Sequence, residues 1–184
     1  MAVTRRSSIA LVLFAVLAAT ATMLSLQSCS DNGGGGASSG LVRVDIPDKD
    51  GKMQAFFLEP ALDNPTRFKG LSGRTTIDDD GGMIFVFTNS AVRKFVMRDC
   101  PIPMDIVYID TGGRVIAAHA MVPEDPKGEN ESSDDYENRL KRYSSRFATE
   151  LVIELQAGMI QKLGLEEGDV LKVHGLKDLQ ARAK

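Results

Sequence analysis

Residues 81–122 read GGMIFVFTNSAVRKFVMRDCPIPMDIVYIDTGGRVIAAHAMV. Gly81-Gly82 opens this stretch, and Asn89-Ser90, then Pro101 and Pro103, then Thr111-Gly112-Gly113 divide it into four apolar runs. Val, Ile, Phe and Tyr fit a pleated, half-buried surface, and the breakers are turn residues, so the runs predict antiparallel strands. Residues 83–87 are apolar without a gap, which predicts a strand covered on both faces. Residues 104–122 predict a hairpin. If Thr111-Gly112-Gly113 is a three-residue loop, Asp110 pairs with Arg114, and counting back sets Asp105 opposite His119. A two-residue Gly-Gly loop sets Asp105 opposite Ala120 instead, because a slip of one residue turns a side chain to the other face.

Outward from this stretch the pattern stays β-rich. Residues 41–46 alternate and predict a first strand, Asp48-Lys49-Asp50-Gly51 a turn, and residues 53–58 the return. Asn64 is placed to cap a short helix with Pro65 as its first helical residue, running to about residue 71. Asp78-Asp79-Asp80 lies in the loop that follows and lacks the alternating oxygen ligands and distal Glu of a calcium loop. Residues 123–142 form a polar insertion with seven acidic residues between Glu124 and Glu137, expected to be a mobile surface segment or to hold a short helix at about 136–142. Residues 149–156 predict a strand with Leu151, Ile153 and Leu155 on one side and Glu150, Val152, Glu154 and Gln156 on the other. A short helix over 157–163 is stopped by Gly164, and residues 170–174 predict the last strand. Eight or nine short strands with two brief helices make the fold class mainly β, a compact β-barrel or jelly-roll-like sandwich. There is no internal repeat, no Gly-rich phosphate loop and no alternating strand–helix–strand pattern.

The chain has 184 residues and a formal net charge of −3. From Cys29 onward it carries 20 basic and 25 acidic residues, and no part of it is a basic stripe, so nucleic acid is excluded as an expected partner. The first 28 residues read as a lipoprotein signal peptide: Arg5-Arg6, an apolar run over 9–26, then Leu26-Gln27-Ser28-Cys29, which resembles a bacterial lipobox. The implied chemistry is acylation of Cys29, which would moor the chain to a membrane. An uncleaved signal anchor is the alternative. Residues 29–40, rich in Gly and Ser, form a flexible tether. The expected domain is 41–176, followed by a polar tail over 177–184 that is expected to fray. Ser30, where Asp would favour inner-membrane retention, points to the cell envelope at the periplasmic face of an outer membrane, if the cell has one. With Cys29 acylated, Cys100 has no disulfide partner and reads as a small buried residue at a strand end.

Several strings together resemble a known family. Arg67-Phe68-Lys69-Gly70-Leu71-Ser72-Gly73-Arg74, Gly82-Met83-Ile84-Phe85-Val86-Phe87, Phe95-Val96-Met97-Arg98-Asp99-Cys100-Pro101-Ile102-Pro103-Met104-Asp105, Tyr143-Ser144-Ser145, residues 151–158 and Gly168-Asp169 stand in the order and spacing of the domain of unknown function 192 family. The resemblance spans about residues 55–173. It implies a compact, mostly β, barrel-like domain, often exported, and it implies no activity. The family usually has Met at position 72, Trp at 96 and Asn-Thr at 99–100. This chain has Ser72, Val96 and Asp99-Cys100.

The resemblance places Arg74, Asp105 and Glu154 at matching positions, and a charged group on a strand needs a partner if buried. They are therefore candidates to line a polar ligand pocket, with Arg74 holding an anionic or polar ligand and Asp105 and Glu154 accepting. The competing reading has Arg74 fixing the loop before Met83. His119, from the hairpin count, joins the set as a general-base partner of Asp105. No metal ligand spacing and no cofactor motif is present. The expected function is a lipid-anchored extracytoplasmic β domain that binds a small molecule or an envelope protein. An envelope hydrolase or isomerase using Asp105 and His119, and a purely structural scaffold, are the alternatives.

Overall fold

The structure is a computed structural model that describes residues 40–184. The signal peptide, Cys29 and nearly all of the tether lie outside the described residues. Strands β1 (Val42–Pro47) and β2 (Met53–Ala61) form an antiparallel hairpin. Its turn is held by Asp48, whose carboxylate accepts from the Asp50 and Lys52 amides. Helix α1 (Asn64–Lys69) follows. Its cap is Asp63 rather than Asn64: Asp63 has the extended backbone a cap needs, and its Oδ1 accepts from the Thr66 amide at 2.8 Å. The chain then crosses over and returns as β3 (Gly82–Phe95), which runs parallel to the end of β2.

Strands β4 (Met104–Ile109) and β5 (Val115–Met121) form the expected hairpin, and α2 (Ser133–Arg139) leads into β6 (Tyr143–Gln156). Helix α3 (Met159–Leu163), the short strand β7 (Lys172–Val173) and helix α4 (Leu176–Arg182) complete the chain. One sheet contains all seven strands in the order β5-β4-β6-β3-β2-β1-β7. The mainly β, barrel-like class read from the sequence is the observed one, as a curled half-barrel with four short helices rather than two.

The sheet curls far enough that residues flanking its two edge strands meet. Just before β7, the Leu171 amide donates to Gly113 O at 2.8 Å, and the Val115 amide donates to Asp169 O at 2.8 Å. A Cβ on Gly113 would stand 2.1 Å from Leu171 O, and its φ is +84°, so the closing contact needs glycine there. Val44 and Ile46 of β1 share one apolar cluster with Val107 and Ile109 of β4. Across a flat sheet those strands would be about 19 Å apart, so only the curl brings them together. Leu163, Leu171 and Leu179 close the same cluster. A second cluster lies on the outer face, where Met83, Phe85, Ile106, Tyr108 and Val152 pack with Met97, Leu71 and Tyr143. Central strands are therefore covered twice, and every residue of β4 is buried.

Three expectations change. Runs expected as separate strands over 83–87 and 92–97 are one strand, because Asn89-Ser90 sits in a bulge opposite β6 instead of a reversal. The insertion over 123–142 follows its helix alternative rather than the mobile one, with the helix starting three residues earlier: α2 buries Tyr136, whose hydroxyl donates to Asp99 Oδ1 at 3.2 Å, and Arg139 pairs with Glu131. The tail does not fray. It forms α4, with Leu179 buried in the inner cluster and the Lys184 amide donating to Leu62 O.

Candidate functional site

On β6, Leu151, Ile153 and Leu155 point into the curl, so Val152 and Glu154 must face outward. Glu154 pairs with Met83 on one side and Ile106 on the other. The α1–β3 crossover folds over this outer face, and Gly70 backs against the Phe85 ring and Glu154 Oε2. Glu154 is only 5% exposed, and its Oε2 has no hydrogen-bond partner among the described residues. Burial raises its pKa to about 8, since water is removed from the charged form and no cation is bonded to it. At neutral pH this group is a carboxylic acid.

Above Glu154 the surface opens as a cleft of ≈ 400 Å³. Its walls are α1, residues 70–72, the outer half of β3 and the segment over 96–100. Phe87 and Phe95 supply apolar surface, and Phe95 stands edge to face at 4.9 Å on Phe85, which is fully buried beneath it. Cys100 and Ser72 sit beside Glu154, and burial pushes the Cys100 thiol up. Four cations line the cleft: Arg67, Lys69, Lys94 and Arg98. Arg98 is committed to Glu137 of α2, and Arg67 donates to Val86 O at 2.7 Å and to Asn64. Lys69 and Lys94 make no side-chain hydrogen bond or ion pair among the described residues.

The other candidates do not gather here. Arg74 pairs with Glu59 at 2.6 Å in an ion pair about 40% exposed at each end, and it is not among the cleft residues. Such a pair contributes about 0–1 kcal/mol; its geometric effect is to tie the crossover to β2. Asp105 faces inward, 1% exposed, and its Oδ2 accepts from the Ile160 amide at 2.7 Å. Gly158, the residue before α3, has no side chain to cap that helix, so Asp105 supplies the acceptor from β4. Asp105 and Glu154 thus lie on opposite faces of the sheet and do not share a pocket.

The expected Asp105–His119 pairing is corrected. The three-residue loop is present, with the Asp110 amide donating to Arg114 O at 2.9 Å. A bulge at Ile116 then adds one residue to β5: Ile109 pairs with Val115 but Tyr108 with Ala117. Asp105 consequently opposes Ala120, and His119 opposes Ile106 on the other face. His119 is held by Ser144 O at 2.8 Å and lies between the Tyr108 and Tyr143 rings. It shares the outer face with Glu154 but stands two strand spacings away, about 10 Å.

Sequence reasoning therefore found the floor of the cleft and missed its rim. Arg67 and Lys69 stand in a string of the family resemblance that implies no role for them, and Lys94 stands in none; they meet only because α1 folds over β3. Among the described residues no group of three or more His, Cys, Asp or Glu is placed to hold a metal ion. Three positions at which the chain departs from the family resemblance, Ser72, Val96 and Cys100, all line the cleft.

No functionally curated protein matches the chain. A crystal structure of a candidate transcription regulator from Sinorhizobium meliloti 1021 aligns with a TM-score of 0.60 and 26% identity, covering 73% of this chain and 95% of that one. A protein of unknown function from Novosphingobium aromaticivorans aligns with a TM-score of 0.59 and 26% identity, covering 72% and 84%. The DUF192 family model, described as "Uncharacterized ACR", matches residues 46–173, more than half of the chain. Order, spacing and fold agree, and the chain belongs to the DUF192 family.

Proposed function

We propose that this protein is a lipid-anchored extracytoplasmic β domain whose outer-face cleft binds a small ligand. The observation that carries the binding half is Glu154: a buried carboxyl without a partner, at the floor of an open cleft with aromatic walls. An unmade hydrogen bond in a buried site costs about 1–3 kcal/mol, and a ligand supplying it would recover that energy. The anchoring half rests on the lipobox-like Leu26-Gln27-Ser28-Cys29 and the Gly-rich tether. The hydrolase or isomerase alternative loses its motivation, since Asp105 and His119 occupy opposite faces. The charge balance of this chain gives no support to DNA contact of the kind a transcription regulator makes. Residues 40–184 hold 20 basic residues (22 less Arg5 and Arg6) against 24 acidic ones (25 less Asp31).

A fragment screen by thermal shift on the full-length chain tests the binding half. Compounds that raise the melting temperature of the native chain should lose that effect in Glu154→Leu, with the far-UV CD spectrum unchanged. Shifts that persist in Glu154→Leu would place binding elsewhere, and a screen without any shift would reject the reading. Incorporation of labelled palmitate, abolished by Cys29→Ser, tests the anchor.

A further inference from the structure

We propose that the cleft takes a small organic anion, with its oxyanion between the Glu154 carboxyl and the Lys69 and Lys94 ammonium groups and its apolar body against Phe87 and Phe95. This rests on the reading of the cleft as a binding site and adds the chemical class of its ligand.

Charge distribution is the first argument. Residues 40–184 are net acidic, 20 basic against 24 acidic, yet the cleft lining contains four cations and Glu154 as its one acid. Two of those cations, Lys69 and Lys94, are exposed and unpaired among the described residues. A cleft of one sign raises the local concentration of ions of the other sign. Hydrogen bonding is the second argument. A protonated carboxyl has one O–H to donate, and Glu154 Oε2 has no acceptor or donor within reach among the described residues. An incoming oxyanion would accept that proton's hydrogen bond, and a bond with one charged partner is the stronger kind. Shape is the third: ≈ 400 Å³ with aromatic walls suits a ring or short apolar body.

The charges also predict a pH dependence. Groups close to Glu154 are the Cys100 thiol from the segment after β3 and the Tyr108 phenol from β4, and the cations Arg67, Lys69, Lys94 and Arg98 line the same cleft. The thiol and the phenol are both pushed up by burial, Tyr108 far above its usual range, and stay neutral near pH 8. The group that changes between neutral and mildly alkaline pH is Glu154. Once ionised, it repels a bound anion a few ångströms away, which would weaken binding about tenfold or more.

Calorimetric titration of the full-length chain with benzoate, phenyl phosphate, benzyl alcohol and benzylammonium separates the possibilities. The expected order is either anion ahead of the alcohol and the alcohol ahead of the cation, and the better anion tells a carboxylate from a phosphate ester. Benzoate affinity should fall about tenfold between pH 6.5 and 9.5, stay level across that range in Glu154→Gln, and drop at pH 6.5 in the Lys69→Gln/Lys94→Gln double variant. Benzyl alcohol or benzylammonium binding as well as the anions would overturn the anion inference and leave the cleft as a binding site. Anion binding that is indifferent to both sets of substitutions would also overturn it. Absence of binding by all four probes, together with an empty fragment screen, would reject the binding site itself.

Discussion

Replacing Glu154 with Gln should stabilise the protein in alkali and leave it nearly unchanged in acid. Gln has the same shape and cannot ionise, so the difference between the two proteins isolates one proton. In the unfolded chain the carboxyl titrates near 4.5, and in the fold at about 8. Below pH 4.5 it is neutral in both states and contributes nothing that Gln does not. Between pH 4.5 and 8 the unfolded chain has released the proton while the folded one holds it. Stability of the native protein therefore falls with rising pH, by about 1.4 kcal/mol per unit. Above pH 8 both states are ionised and the loss levels off, at a total on the order of 5 kcal/mol. That is a large share of the stability of an ordinary domain, about 5–15 kcal/mol. Urea unfolding of both proteins at pH 4, 6, 8 and 9.5 measures it, with the effects of all other groups cancelling in the difference. A difference that does not change with pH would refute the reasoning, because it would mean that the Glu154 carboxyl is ionised in the fold and has water or a cation as partner.

Other parts of the structure carry expectations of their own. Gly82 stands where a Cβ would lie 2.1 Å from Glu154 O, with φ at +140°, so Gly82→Ala should destabilise by about 3 kcal/mol or more and lower the melting temperature by about 10 °C. Leu179→Ala should cost about 2–4 kcal/mol by denaturant unfolding, because α4 fills the inner cluster; a change under about 0.5 kcal/mol would show a detached tail. Asp45 is held low by hydrogen bonds from His174 and Arg43, so the stability it contributes is present above pH 4 and is lost as pH falls through its depressed pKa. Asp45→Asn should therefore be less stable than the native chain at pH 6, with the gap narrowing as pH falls below 4. In a Cys29→Ser background, Cys100 should react with a disulfide reagent at least about tenfold more slowly in the native state than after denaturation, since it is 7% exposed and its thiol is pushed up.

Much of the fold was legible because its causes are local. Period-two alternation over 151–155 sends Leu151, Ile153 and Leu155 inward and Glu154 outward, and that holds in the structure. Of the uninterrupted run at 83–87, residues 83–86 are buried as expected, and Phe87 is half-buried at the cleft. Gly164, with φ at +67°, ends α3 where the sequence places the stop. The errors share a different cause. A bulge at Ile116 shows in no residue type, yet it turns His119 away from Asp105. Asn89 and Ser90 have turn chemistry but lie in a strand long enough to absorb them as a bulge. Leu179 looks like one apolar residue in a polar tail until the inner cluster offers it a place.

The sequence by itself determined the mainly β class, the two faces of β6, the helix stop and the family, because turn chemistry and side-chain alternation act over a few neighbouring residues. Only the tertiary structure decided which ionisable groups meet. It separated Arg74, Asp105 and His119 from Glu154 and brought Lys69 and Lys94 to its cleft. The physical reason is that register and crossover packing depend on contacts among residues far apart in the chain, where one bulge reverses a face and one folded-over helix builds a site.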